Sequence, residues 1–298
     1  MKLKVKAHGK INWTLDILGQ RPDGYHDLDM LISSVSLCDN LEFQEADDLE
    51  MFLISNNGSR FVPGDEKNLV LQSARALQEA TGVARGASIK LQKFIPVSAG
   101  MGGGSSDAAA TLVALNRLWN CGLKTKELSE IGLTIGADVP YCIEGGLARV
   151  QGIGEKVTKL KMGRELYLII IQPCRGLSTK EVFGSYHSEG HREQGKPDNE
   201  AAQAALLQGD LRALAHAMGN VLEPVSVEKR PKMAKALEAL RLSGALRAQM
   251  TGSGSVVYGV YQNAYKCRKA LMQLQEEYPD CLSMRTTDTG IEIVEEGE

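Results

Sequence analysis

Residues 95–110 read IPVSAGMGGGSSDAAA. Gly100 and Gly102 to Gly104 put four glycines into five positions, and Ser105, Ser106 and Asp107 then lead into a run of alanines. Glycines let main-chain N–H groups approach a ligand closely, and the start of a helix adds orphan donors with a partial positive charge. The flanks agree with such a site. Residues Ala87 to Lys93 read as a strand before the loop. After it, Leu112, Leu115, Leu118 and Trp119 recur at helical spacing, predicting a helix that begins near Ser106 and closes at Asn120-Cys121-Gly122. This order of elements suits a phosphate chain, with the Ser105 and Ser106 hydroxyls as extra donors or as oxygen ligands for magnesium. A tight turn alone does not need so many glycines. A dinucleotide loop wants G-x-G-x-x-G, whereas Gly100 and Gly102 are followed at the third place by Ser105. Gly-Lys-Ser/Thr is absent, which excludes the common P-loop.

Outward from this unit, strands and helices interleave. Leu3 to Val5, Ile11 to Leu18 and Leu28 to Leu37 read as strands bounded by Gly, Pro and Asp turns. Asn68 is placed to cap a helix that starts near Leu69 and stops at Thr81-Gly82. Leu147 to Val150 and Leu166 to Ile171 are further strands, followed by helical patterns at Ala201 to Leu207, Leu211 to Met218 and Ala234 to Leu242. Ser255 to Tyr261 and Ile291 to Val294 supply the last strands. The polar stretch Gly184 to Glu200 has little to bury and is the expected mobile loop. The pattern predicts an α+β fold in two domains, residues 1–155 and 156–298, with a soft boundary near Lys156.

Composition narrows the function. A chain of 298 residues with 43% hydrophobic content buries a sizeable core, and a net charge of -3 gives no bulk attraction for nucleic acid or an anionic membrane. The N-terminal MKLKVKAHGKINW lacks a secretory apolar run, and no stretch approaches the roughly 20 apolar residues of a membrane span. A cytoplasmic protein with a small-molecule partner is expected, as a monomer or a homodimer. The six cysteines are scattered, without Cys-x-x-Cys spacing, and read as reduced buried thiols.

Residues 95–110 resemble the second motif of the GHMP kinases, the superfamily of galactokinase and of homoserine, mevalonate and phosphomevalonate kinases, and MTGSGSVVYG (250–259) resembles its third motif. KINWTLDILGQRPDGYHDLDML (10–31) and GADVPYCIEGG (136–146) are similar to the members that phosphorylate a cytidine-diphosphate-linked polyol. The resemblance implies a sheet-rich N-terminal domain, a ferredoxin-like C-terminal domain and ATP with Mg2+ in the cleft between them. It makes Asp138 the base that takes the hydroxyl proton, and Lys10 the cation that neutralises charge on the γ-phosphate. Nucleotide contacts fall to Pro96, Ala99, Gly100, Met101, Gly102, Gly103, Gly104, Ser105 and Ser106. Substrate contacts fall to Asn12, Tyr25, His26, Asp138, Thr179 and Phe183, with Tyr25 stacking on the base, His26 reading its edge and Phe183 closing a sandwich. Lys10 and Asn12, two apart on a strand, share a face. Without the resemblance, Asp138 reads as a helix cap or turn residue, Lys10 as a surface charge and Phe183 as core. Metal ligands are unassigned, Glu223 in GNVLEP (219–224) reads as a structural helix-end residue, and His187, His191 and His216 read as surface residues. Three rivals remain: a homoserine- or mevalonate-type kinase, a non-catalytic nucleotide sensor and a Rossmann oxidoreductase. Tyr25 and His26 argue against the first, Lys10 with Asp138 against the second, and the missing N-terminal glycine fingerprint against the third.

Overall fold

Two long strands, β1 (Lys2–Gln20) and β2 (His26–Ala46), form the spine of the N-terminal layer and pair antiparallel along their length. In the computed structural model, which describes residues 1–54, 62–186 and 195–297, the strands expected at Leu3 to Val5 and Ile11 to Leu18 are one element. What lies between them is a β-bulge and not a turn, because the ladder slips between His8 and Lys10 and again between Asn12 and Thr14. β2 also pairs with β4 (Gly86–Gln92) and β5 (Leu147–Gly152), while β3 (Leu49–Ile54) lies parallel to β4 and β6 (Lys156–Leu160) antiparallel to β5. Helices α1 (Leu69–Thr81), α2 (Gly103–Leu118), α3 (Thr125–Ile135) and α4 (Val139–Glu144) belong to this part of the chain, and Ala108, Leu112 and Leu115 of α2 are fully buried. Asn68 caps α1 by accepting from the Val70 N–H, and Gly82 ends that helix in the left-handed region, as expected from sequence.

The second half contributes β7 (Tyr167–Ile171), β9 (Arg247–Met250), β10 (Val257–Tyr261) and β11 (Leu282–Thr287), paired antiparallel in the order β11, β7, β10, β9. Its helices are α5 (Thr179–Gly184), α6 (Asn199–Gln208), α7 (Leu211–Ala217), α8 (Glu223–Lys229), α9 (Lys232–Leu242) and α10 (Ala264–Leu274). The α+β, two-domain organisation is as expected, and the two parts are sewn together. β11 reaches β2, β12 (Ile291–Gly297) returns to pair with β1, and the two-residue β8 (Gly219–Asn220) lies parallel to β1. At the second bulge of β1 the carbonyls of Asn12 and Trp13 are taken by the Tyr258 hydroxyl (2.7 Å) and Gln249 Nε2 (3.1 Å). Arg149 on β5 adds a fork to Asp29 (2.9 and 2.7 Å) and a bond to Glu200 of α6 (2.6 Å).

Of the expected loop at Gly184 to Glu200, residues 187–194, including His187 and His191, lie outside the described residues, and Asn199 and Glu200 already belong to α6. All six cysteines are free thiols, with Cys142, Cys267 and Cys281 buried. Among the described residues, no helix is long and apolar enough to cross a membrane.

Candidate active site

The glycine-rich loop folds as a tight cradle because its neighbours approach to main-chain distance. Gly100 has φ 85°, and a Cβ there would stand 2.1 Å from the Thr251 carbonyl oxygen. Gly102, φ 69°, is the N-cap of α2, and a Cβ on it would press on Lys10 Cγ at 3.0 Å. The helix therefore starts at Gly103, three residues before the start expected at Ser106, and its first turn faces the cleft with Gly104 and Ser105. Two expectations are corrected here. Ser106 is fully buried one turn into α2, where its Oγ donates to the His8 carbonyl (2.7 Å) and meets Cys142 Sγ (3.4 Å), so its hydroxyl is unavailable to phosphate or metal. Met101 turns into the core, and its carbonyl accepts the Lys10 N–H at 2.9 Å. Neither residue lines the cleft, whereas Pro96, Ala99, Gly100, Gly102, Gly103, Gly104 and Ser105 do.

That cleft measures about 1590 Å³ and runs from the glycine loop to the β1–β2 turn. Lys10, buried on β1, puts Nζ 2.9 Å from Asn12 Oδ1 and 3.7 Å from Asp138 Oδ2. Asp138 precedes α4 but makes no side-chain capping bond, so its half-exposed carboxylate faces Lys10. Lys10 is thus not a surface charge, whereas Asp138 does sit in the turn before α4, with its carboxylate toward Lys10 and not in a capping bond. Asn12 shares the face of Lys10, as strand parity requires, and its Oδ1 accepts from Lys10 Nζ, the Gly252 N–H (3.1 Å) and Thr251 Oγ1 (3.3 Å). Among the described residues its Nδ2 meets only the weak acceptor Met30 Sδ, at 3.4 Å.

At the far end Tyr25 stands 60% exposed at the β1–β2 turn, and the His26 ring lies 5.3 Å from the Phe183 ring at a 43° tilt. Thr179 opens α5, and its Oγ1 lies 3.0 Å from Ser253 Oγ in the third motif. All four line the same cleft as Lys10 and Asp138, although up to 173 residues separate them. His216 is exposed on α7, away from the cleft.

Some residues here carry no local sequence signal. Lys93, at the end of β4, is held by Asp39 and by Asp107 Oδ2 (2.5 Å) directly behind the loop, where a Cβ on Gly103 would lie 3.2 Å from its Nζ. Burial works against its charge, but the Asp107 and Asp39 carboxylates outweigh it and hold its pKa above the ordinary lysine value. Burial likewise pushes Asp107 well above the carboxylate range. A charged residue between two apolar runs reads as surface until the fold brings Asp39 and Asp107 to it. Among the described residues, no group of three or more His, Cys, Asp and Glu side chains forms a metal cage.

The GHMP kinases N terminal domain model matches residues 68–146 and the GHMP kinases C terminal model matches residues 202–280. A 4-diphosphocytidyl-2-C-methyl-D-erythritol kinase from Bacillus cytotoxicus is 42% identical over 260 residues, covering 87% of this chain and 88% of its own. One from Caldanaerobacter subterraneus subsp. tengcongensis is 39% identical over 294 residues, covering 99% of this chain and all of its own. The crystal structure of a 4-(cytidine 5'-diphospho)-2C-methyl-D-erythritol kinase superposes with TM-score 0.79 at 28% identity, over 96% of this chain and 99% of that one. A homoserine kinase from Cytophaga hutchinsonii shares the fold, with TM-score 0.77 at 20% identity over 98% of this chain and 97% of that one.

Proposed function

The chain belongs to the GHMP kinases, in the family of its 4-diphosphocytidyl-2-C-methyl-D-erythritol kinase relatives, and from that premise we propose how its cleft transfers the γ-phosphate of ATP to the 2-hydroxyl of that cytidine-linked polyol, a step of isoprenoid precursor synthesis. The observation that carries the reading is the buried Lys10 ammonium held 3.7 Å from Asp138 in the same cleft as the glycine loop and the Tyr25, His26 and Phe183 rings. Phosphoryl transfer needs a positioned alcohol, stabilised charge on the transferring group and a proton acceptor. In this reading, the main chain from Ala99 to Ser105 and the start of α2 hold the triphosphate. Lys10 offsets the charge that develops on the γ-phosphate, and Asp138 accepts the hydroxyl proton as that oxygen bonds the γ-phosphorus and the bond from phosphorus to the bridging oxygen breaks, releasing ADP.

Asn12 Nδ2 is the group left over for a substrate hydroxyl, since its Oδ1 is committed to Lys10 and the third motif. Tyr25 and Phe183 flank the base, His26 reads its edge, and Thr179 contributes a hydroxyl. Mg2+ fits as an ion that arrives with the triphosphate and keeps most of its water, because such sites use one or two protein oxygens. The Ser105 hydroxyl, in the first turn of α2 and lining the cleft, would offer the ion one such oxygen, and the ion would supply charge neutralisation on the phosphates. The proposed division of labour assigns catalysis and phosphate binding to residues 1–155, and Thr179, Phe183 and the third motif to residues 156–298. We place the enzyme in the cytoplasm, with its ATP.

ADP release from a panel of cytidine-linked and free alcohols tests the reading. The cytidine-linked substrate should exceed free methylerythritol phosphate by about 10²-fold or more in kcat/KM, because a site built to bond a base leaves polar groups unpaired without it. Equal turnover of the two would remove the base-recognition assignment.

A further inference from the structure

Residues 219–226, GNVLEPVS, run from β8 into α8 and make no contact with the cleft. They nevertheless grip the third glycine motif from behind. Asn220, 2% exposed, donates both Nδ2 hydrogens into that loop, to the Met250 carbonyl at 3.1 Å and the Gly252 carbonyl at 2.9 Å, while its Oδ1 accepts the Leu222 N–H at 3.0 Å. Three residues on, Glu223 Oε2 accepts the Met250 N–H at 2.7 Å, and three further on, Ser226 Oγ donates to the Ser253 carbonyl at 3.1 Å. Four main-chain groups of residues 250–253 are thus held by one short segment.

The front of the same loop is bonded to the catalytic pair. The Gly252 N–H and Thr251 Oγ1 both donate to Asn12 Oδ1, which in turn accepts from Lys10 Nζ, and Lys10 faces Asp138. Gly252 therefore carries the Asn220 amide on its carbonyl and the Asn12 amide on its N–H. We infer that Asn220 is a positioning residue for phosphoryl transfer: it clamps the peptides on either side of the Thr251-Gly252 peptide, whose N–H sets the Asn12 oxygen that orients the Lys10 ammonium. The amide is the side chain this role requires, since an aspartate cannot donate to two carbonyls and an alanine leaves both unpartnered. Charge-assisted bonds such as that from Lys10 to Asn12 weaken steeply as they lengthen, and a displacement of about 1 Å away from the chemistry can cost on the order of 10²-fold in rate.

This inference rests on the proposed role of Lys10, and the test separates the two. Single-turnover kcat and both KM values are measured for Asn220→Ala and for Asn220→Ser, which keeps one donor, each in the wild-type and Lys10→Met backgrounds, with Tm as the folding control. The expected result is a kcat about 10- to 100-fold lower for Asn220→Ala, KM values within about threefold, partial recovery in Asn220→Ser, and less than threefold further loss in the Lys10→Met background. An equal loss in both backgrounds, or unchanged kcat in a folded variant, overturns the positioning role and leaves that of Lys10 standing. Should Lys10→Met itself keep normal turnover, both assignments fall. If Asn220→Ala does not fold, the same comparison is made with Asn220→Ser alone.

Discussion

The two ends of the cleft are built by opposite means. At the proposed phosphate end the walls are main chain held by bonds: the Val256 N–H donates to the Ala99 carbonyl (3.1 Å), the Asn12 N–H to Thr251 Oγ1 (3.1 Å) and the Lys10 N–H to the Met101 carbonyl (2.9 Å). At the base end the walls are side chains on a turn and on the six-residue α5, with Tyr25 mostly in solvent. Phosphate chemistry is common to the whole superfamily and needs a charge environment set before the substrate arrives. Base recognition distinguishes one member from another and needs only a few rings that can close on a ligand. The locked end is expected to govern kcat and nucleotide affinity, and the open end kcat/KM for the cytidine substrate.

The largest effect should come from Lys10 and Asp138, the proposed catalytic pair. Asp138→Asn keeps the shape of the side chain and removes the proton acceptor, so kcat should fall by about 10²- to 10⁴-fold with ATP affinity little changed. Combined with Lys10→Met, the loss should be much smaller than the product of the single losses, because both act on one transition state. Single-turnover rates check this, and near-normal chemistry in Asp138→Asn would reduce that residue to a turn.

Next comes the cradle, where two adjacent glycines separate packing from binding. A Cβ on Gly103 would press on Ile95 Cγ2 at 3.0 Å and Lys93 Nζ at 3.2 Å, whereas one on Gly104 would, among the described residues, meet only Leu69 Cδ1 at 3.4 Å. Gly103→Val should lower both ATP affinity and Tm, with about 1–3 kcal/mol of overpacking. Gly104→Val should weaken ATP by about tenfold with Tm nearly unchanged. Calorimetry that finds full ATP affinity in folded Gly104→Val would move the phosphates elsewhere.

At the open end, Phe183→Ala should raise KM for the cytidine substrate by about tenfold, in line with the roughly 1–3 kcal/mol that a stacked base is worth, and leave ATP affinity alone. A change in kcat without a change in KM would mean that the ring serves the locked end instead.

Legibility from sequence follows the same contrast. The locked end announces itself, because a cradle made of main chain demands glycine, and glycines cluster in the chain as they do in space. Placing the helix start at Ser106 was the natural consequence of glycine's poor helix propensity. The fold overrides that preference, because Gly102 ends the loop in the left-handed region and Ser106 then falls on the inner face of α2. The bulge of β1 at His8/Lys10 looks in the sequence like the gap between two strands, and the one at Asn12/Thr14 falls inside an unbroken strand pattern. Lys93 and Asn220 were illegible for a different reason. Their partners lie 54 and 30 residues away, and nothing in a local pattern encodes such a distance.

The smallest effect tests whether locking the phosphate end carries a cost in stability. Glu223 accepts the Met250 N–H but has lost most of its water, and this burial raises its pKa above the usual 4.5 of a glutamate, against the opposing pull of that N–H and of Arg247. A raised folded-state pKa means that the folded chain binds a proton more tightly than the unfolded chain, so stability falls as pH rises from the unfolded value through the folded one. At neutral pH the ionised carboxylate is therefore a net burden that residues 219–226 carry for the bond to Met250. Glu223→Gln keeps an oxygen to accept that N–H and removes the charge. Its Tm should exceed that of the wild-type protein at pH 7, and the gap should narrow as pH falls toward 4.5, where the wild-type carboxyl takes up its proton. Because the acceptor is retained, kcat should stay close to normal. A Tm difference independent of pH would show that the gain comes from packing and not from titration of this carboxyl, and a lower Tm at pH 7 would show that the carboxylate holds residues 250–253 better as an anion than a neutral amide can.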